Sequence, residues 1–245
     1  MNDLTGKIIV ISGGAGLLGE QYAAAIKEAG GTPVSIDHHQ SSYGGYQIDV
    51  TDYWAIKDIA FNIERQFGTP HGLINNAAID PKVGSDYPSL FGREWEGMPE
   101  SWNVQIQGSM NCSRVFGTKM AENGRGSIVM VSSELGLVSP NQSLYPEDHY
   151  KPLHYSVTKH AVIGMTRWLA TYFGKMGVRV NAIAPGGMQT STHDPSFVAR
   201  RSALIPMGRM AQTGEFNGLV VFLLSDASSY MTGAVVSIDG GYTCW

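Results

Sequence analysis

Residues 7–19 read Lys7-Ile8-Ile9-Val10-Ile11-Ser12-Gly13-Gly14-Ala15-Gly16-Leu17-Leu18-Gly19. The first six form a short run rich in β-branched residues, the mark of a buried strand, and a helical pattern begins at Leu17 and runs to Ala29. Between them the glycines permit a tight turn and let backbone N–H groups approach a pyrophosphate at the helix N-terminus. Gly14, Gly16 and Gly19 fit G-x-G-x-x-G. Glycines alone often serve a turn and nothing more, but a strand before and a helix after make this a dinucleotide signature. Gly13, Gly16, Leu18 and Gly19 are the expected phosphate contacts.

Outward from this turn the same alternation continues. Strand-like runs at Lys7–Ser12, Thr32–Ile36, Gly72–Ile74, Ser127–Ser132, Arg179–Ile183 and Ala234–Ile238 are separated by helical patterns at Leu17–Ala29, Asp52–Phe67, Trp102–Asn123, Tyr155–Lys175 and Gly214–Leu224. This predicts an α/β fold, a single-domain, Rossmann-type, doubly wound parallel sheet of about seven strands with helices on both faces. No repeat or composition shift divides the chain, so residues 1–245 are read as one domain. Only nine residues separate Asp37 from Gln47, too few for a crossover helix, so a compact loop is expected there. Asp80–Ser101 and Gly186–Leu204 break the rhythm after strands, where open α/β sheets bind ligands. With residues 137–154 they are the expected substrate loops.

Asp37 closes the second strand, where a carboxylate accepts hydrogen bonds from the adenosine ribose and repels a 2′-phosphate. The glycine loop has no Lys or Arg to neutralise such a phosphate, so the expected cofactor is NAD rather than NADP. His38 and His39 stand beside it and soften that discrimination.

A net charge of −4, from 17 basic and 21 acidic residues, gives no cationic field for nucleic acid or an anionic membrane. No segment has the roughly 20 apolar residues a membrane span requires, and the start of the chain lacks the pattern of a secretory signal. The two cysteines, Cys112 and Cys244, make neither a disulfide framework nor a metal-ligand spacing. A cytoplasmic protein acting on a small molecule, without a metal, is expected.

Tyr155-Ser156-Val157-Thr158-Lys159 places a phenol and an ammonium on one face of a helix. At about 4 Å and an effective dielectric of 20, the ammonium stabilises a phenolate by roughly 4 kcal/mol, enough to lower a pKa near 10 by up to about three units. A tyrosine so tuned exchanges protons near neutrality. By itself the spacing is common by chance.

In the order Ser12–Gly19, Asp49-Val50, Asn75-Asn76-Ala77-Ala78, Ser132-Ser133 before Gly136, Tyr155 with Lys159, Asn181 with Pro185-Gly186, and Asp239-Gly240-Gly241, the chain resembles the short-chain dehydrogenase/reductases from Lys7 to Gly241. The resemblance implies that Asp49 and Val50 flank the adenine and that Asn76 and Ala77 support the cofactor. It implies that Ser133 holds the substrate oxygen, that Tyr155 transfers its proton, and that Lys159 tunes Tyr155 and binds the nicotinamide ribose. Pro185, Gly186, Met188 and Thr190 would lie on the nicotinamide side.

Three departures stand out. The first turn has Leu17 where compact members carry a middle glycine, and reads like the sugar-nucleotide branch. Gln105, in Gln105-Ile106-Gln107-Gly108, takes the place of the family's fourth catalytic residue, an asparagine, and is expected to hold a proton-relay water. Ser133 and Tyr155 are 21 residues apart in between, more than in most relatives, and the extra segment Tyr145–Lys151 is expected to shape the substrate pocket.

The first turn, Asn75–Lys82, the insertion ending in His154-Tyr155 and Pro185-Gly186-Gly187 together resemble members associated with flagellin modification and surface-polysaccharide sugar synthesis. A sugar or sugar-phosphate substrate follows, with Lys82, Arg93, His149, Lys151 and His154 as candidate ligands for hydroxyls or phosphate. An acyl thioester or a polyol, a non-catalytic NAD(H)-binding sensor, and an epimerase or dehydratase are the alternatives. The apolar helices 102–123 and 155–175 imply a homo-oligomer, a tetramer or dimer.

Overall fold

The computed structural model describes residues 2–80, 98–147 and 149–245. Seven strands, β1 (Ile8–Ser12), β2 (Thr32–Asp37), β3 (Gly45–Gln47), β4 (Gly72–Asn75), β5 (Gly126–Val131), β6 (Val178–Pro185) and β7 (Val235–Ile238), form one sheet in the order β3-β2-β1-β4-β5-β6-β7. Every neighbouring pair is parallel. Six of the strands lie where the apolar runs predict them. The seventh, β3, is a three-residue edge strand beside Ser35–Asp37, too short and too polar to show a period. A loop without a helix joins it to β2, as the spacing requires.

Strand residues alternate between two faces because the side-chain period is two. Val10, Ile36, Leu73, Met130 and Val180 pack with Ile56 of α2 (Tyr53–Phe67), Phe116 of α4 (Ser109–Glu122) and Val162 of α5 (Leu153–Phe173). Ile9, Ile11, Ile74, Val129 and Ile183 turn the other way, onto Tyr22 and Ile26 of α1 (Leu17–Glu28) and Val220 and Leu224 of α7 (Asn217–Leu224). Burying both faces is what makes these strands read as continuous apolar runs. The strand order reverses between β1 and β4, so a crevice opens at their carboxyl ends.

Three details depart from expectation. The predicted helix 102–123 is broken into α3 (Met98–Trp102), a π-helical turn at Asn103–Gly108 that carries Gln105, and α4. A further helix, α6 (Pro195–Ser202), lies inside the loop 186–204; Asp194 caps it by accepting from the Ser196 and Phe197 amides. The helix expected from Gly214 starts at Asn217. Lys82, Arg93 and most of the loop 80–101 lie outside the described residues.

Candidate active site

The crevice between β1 and β4 is tied together from below. Ser12 Oγ accepts from the Asn76 and Ala77 amides at 3.1 and 3.3 Å, and Asn76 Nδ2 donates to Gly13 O at 2.9 Å. Gly13 has φ +66°, and a Cβ there would lie 2.7 Å from Ala77 Cα, so only glycine fits this crossing. α1 starts after Gly16 without any side-chain cap, which leaves the first-turn N–H groups of Leu17, Leu18 and Gly19 facing out of the turn. A cleft beside them is lined by Gly13, Asp37, Ile48, Val50, Ala77 and Val104. An uncapped helix end with an apolar cleft and a carboxylate alongside fits a dinucleotide.

Asp37 spans the rim, accepting from the Ala15 amide through Oδ2 and from the His39 amide through Oδ1, both at 3.0 Å. Val50 is buried in the cleft wall, whereas Asp49 is exposed. The Thr51 amide bonded to the Asp49 carboxylate holds its pKa below the ordinary value. Leu18 and Met188 are partly buried against the same apolar cluster from opposite sides.

The candidate catalytic residues Ser133, Tyr155 and Lys159 gather at the carboxyl end of β5. Ser133 Oγ accepts from the Leu135 amide at 3.1 Å, which leaves its O–H free to donate, and it is hydrogen-bonded to the Tyr155 phenol. Tyr155 and Lys159 occupy successive turns at the start of α5, with Lys159 Nζ 5.6 Å from the Tyr155 ring centroid. Lys159 Nζ is anchored on Val131 O at 3.1 Å, and Ser132 Oγ donates to Lys159 O at 2.8 Å. A Cβ on Gly136 would lie 2.4 Å from Ser132 Oγ and 2.7 Å from Lys159 O, which explains why glycine follows the serine pair. Residues 133, 155 and 159 are thus brought together as expected.

Their electrostatics correct the expectation of a lowered phenol. Burial pushes the Tyr155 phenol well above its ordinary range, the nearby Asp80 carboxylate adds to the rise, and the Ser133 hydrogen bond opposes it. Burial also lowers the Lys159 ammonium to about 8, with Asp80 opposing and Lys151 assisting. The error lay in counting one charge pair at a fixed dielectric while omitting desolvation, which penalises the charged forms of both groups.

Gln105, the expected holder of a proton-relay water, is engaged by protein groups on two sides. Its Nε2 donates to Ile79 O at 2.9 Å and its Oε1 accepts from Thr158 Oγ1 at 3.3 Å, so the side chain braces the end of β4 against the helix that carries Tyr155. On the far side, Gly186 N donates to Ile238 O at 3.0 Å, and a Cβ on Gly186 would lie 2.7 Å from Asp239 Cα. Pro185-Gly186 and Asp239-Gly240-Gly241 are therefore two halves of one packing contact. Thr190 N donates to His193 Nδ1 at 3.0 Å.

One functional candidate was hidden among scattered charges. Lys151 Nζ lies 4.1 Å from the Tyr155 ring centroid, nearer than Lys159, and 2.5 Å from the exposed carboxylate of Asp80. Gln142 holds the Lys151 backbone through both its amide groups, at 2.9 and 3.2 Å. His154 is buried, with its pKa lowered by burial and by Lys151. His149 pairs with Glu147 O.

A parallel sheet with a dinucleotide crevice at its switch point and a Ser-Tyr-Lys cluster beside it defines a nicotinamide-dependent oxidoreductase acting on CH–OH groups. Residues 18–243 match the short-chain dehydrogenase family model described as enoyl-(acyl carrier protein) reductase, and the chain belongs to the short-chain dehydrogenase/reductase family. It is 33% identical to galactitol 2-dehydrogenase of Rhizobium johnstonii, over 99% of this chain and 97% of that protein. It is 30% identical to 2,5-dichloro-2,5-cyclohexadiene-1,4-diol dehydrogenase of Sphingobium indicum, over 99% of each. The structure of a short chain dehydrogenase from Leptospira borgpetersenii with bound NAD+ superposes with a TM-score of 0.88 at 28% identity, covering 99% of this chain and 94% of that one.

Proposed function

We propose that this protein is an NAD(H)-dependent oxidoreductase that interconverts a secondary alcohol and a ketone on a sugar or sugar phosphate. The observation that carries the reading is the Tyr155 phenol held between the Ser133 hydroxyl and the Lys159 and Lys151 cations. Bound in the crevice, NAD supplies the nicotinamide that takes up or gives hydride. Gly13, Gly16, Leu18 and Gly19 hold its phosphates, Asp37 its adenosine ribose, Asp49, Val50, Asn76 and Ala77 the adenine side, and Pro185, Gly186, Met188 and Thr190 the nicotinamide side. Asp37 favours NAD because its charge opposes a 2′-phosphate.

Ser133 orients the substrate oxygen, and Tyr155 moves the proton at its phenolic oxygen. Lys159 stabilises the phenolate and binds the nicotinamide ribose. Gln105 acts by holding α5 in place through Thr158. The loops that follow β5 and β6, within 137–154 and 186–204, line the substrate side, and Lys151 offers a cation to a hydroxyl or phosphate. Relatives whose names specify galactitol and a cyclic diol support a hydroxylated substrate. The likeness to flagellin-modification and polysaccharide members points to a bacterial surface sugar.

Exposed apolar residues on two helices support a homo-oligomer. Exposed Met110 on α4, and Val157, Trp168 and Tyr172 on α5, form apolar faces, with Trp168 and Tyr172 stacked at 5.2 Å. Among the described residues no helix is long and apolar enough to cross a membrane; a cytoplasmic location is proposed on the two free cysteines, Cys112 and Cys244. The decisive experiment is a screen of free and phosphorylated sugars and polyols with NAD(H) and NADP(H), following the 340 nm absorbance of the reduced nicotinamide. Turnover of no member with either cofactor, despite NADH binding, would favour the non-catalytic sensor and defeat the proposal.

A further inference from the structure

α6 is eight residues long, and its single fully buried residue is an arginine, Arg201. Burying a guanidinium is unfavourable unless a partner compensates it. The partner is Glu134: the two side chains are paired, with only 7% and 5% of their surfaces exposed. The Arg201 guanidinium also lies 3.8 Å from the ring centroid of Tyr242, near the end of the chain.

Glu134 directly follows Ser133, and its carboxylate also accepts from the Gly187 amide. One carboxylate thereby joins the end of the catalytic strand, the loop that follows β6, and α6. Elsewhere on α6, Phe197 stacks on Tyr145 at 5.8 Å, and Arg200 Nη2 donates to Leu144 O at 3.1 Å. The insertion so gripped is the one that ends in Lys151 above Tyr155. The pair is incompletely satisfied, since Glu134 Oε2 is buried without a hydrogen-bond partner. Burial pushes the Glu134 carboxyl up to about 7 against the opposing pull of Arg201, so desolvation outweighs the pairing. The pair ties α6 to the end of β5, and opening α6 would return both groups to water, which suits a wall that must admit substrate.

We propose that the Glu134–Arg201 pair is the clasp that closes α6 over the substrate side of the active site, and that both are positioning residues for the substrate. This rests on the oxidoreductase reading of the site. The test is hydrogen exchange read by mass spectrometry on the full chain, comparing wild type with Glu134→Gln, Arg201→Met and the double variant. Amides of residues 196–203 should exchange at least about tenfold faster in each single variant, no faster in the double than in the singles, and with β5 unchanged. Unchanged exchange in both single variants, or additive loss in the double, overturns the clasp.

With NAD and galactitol as the probe, or whichever sugar the screen turns over, KM for the alcohol should rise at least about fivefold while kcat stays within about threefold. An unchanged KM beside faster exchange overturns the positioning role. If wild type turns over no probe, the functional reading fails, and the exchange data still decide whether the clasp exists.

Discussion

The two sides of the crevice are held by different kinds of contact. On the nucleotide side, β1, β2 and β4 are joined by uncharged bonds between short side chains and backbone, such as Ser12 to Asn76 and Ala77 and Asn76 to Gly13, with Asp37 the one charged member. On the side of Ser133, Tyr155 and Lys159, β5, β6 and their loops are held by charges: the buried Lys159, the buried Glu134–Arg201 pair, and Lys151 with the exposed carboxylate of Asp80. The first arrangement is built of small residues whose contacts are nearly compulsory, and it makes a rigid cradle. The second sets its chemistry by balancing desolvation against pairing, so modest substitutions there should retune activity rather than unfold the chain.

The largest expected effect breaks the catalytic side alone. Tyr155→Phe should lower kcat by about 10³-fold, the scale of a lost acid–base group, while NADH affinity measured by fluorescence titration stays within about threefold. Loss of NADH binding in that variant would show that the two sides are not separable. Next, Asp37→Ser should move the ratio of kcat/KM for NAD over NADP toward NADP by about 10- to 100-fold, the worth of one charge-assisted contact plus a removed repulsion. An unchanged ratio would remove Asp37 from cofactor choice.

A pH profile sharpens the contrast. Because Lys159 is lowered to about 8 and Tyr155 is raised, the first proton leaves the coupled pair near pH 8. Alcohol oxidation needs the deprotonated pair, so its kcat/KM should rise through that pH, and ketone reduction should fall above it. Removing the Lys151 charge relieves a repulsion that lowers Lys159, so Lys151→Met should shift the limb to higher pH, whereas Asp80→Asn should shift it lower. Limbs that do not move would mean these charges are screened from the site. The smallest effect belongs to the cradle: Ser12→Ala removes the acceptor of two partly buried amides at a cost of about 1 kcal/mol, visible as a fall in Tm with little change in kcat.

How much of this was legible follows the same divide. Six strands, five of the helices and the grouping of Ser133, Tyr155 and Lys159 could be read from local pattern and from resemblance. The π-turn around Gln105 could not, because a six-residue π-helical segment is too short to set a period of its own. Nor could β3, whose three residues are strand only because β2 lies beside them. Lys151 was one of several scattered cations, and nothing local distinguished it from a solvated side chain. The direction of the Tyr155 shift was misjudged for a related reason, since desolvation depends on everything packed around a group and not on its neighbour one turn away.

The sequence by itself determined the alternating strands and helices, the glycine turn, and the candidate residues for the chemistry, because periodicity, backbone freedom and spacing along a helix are local properties. Only the tertiary structure decided which charges meet. Glu134 and Arg201 are 67 positions apart, and Lys151 and Asp80 are 71 apart. No one-dimensional pattern encodes such a pairing: the partners come within reach of one another only once the sheet and its loops have folded.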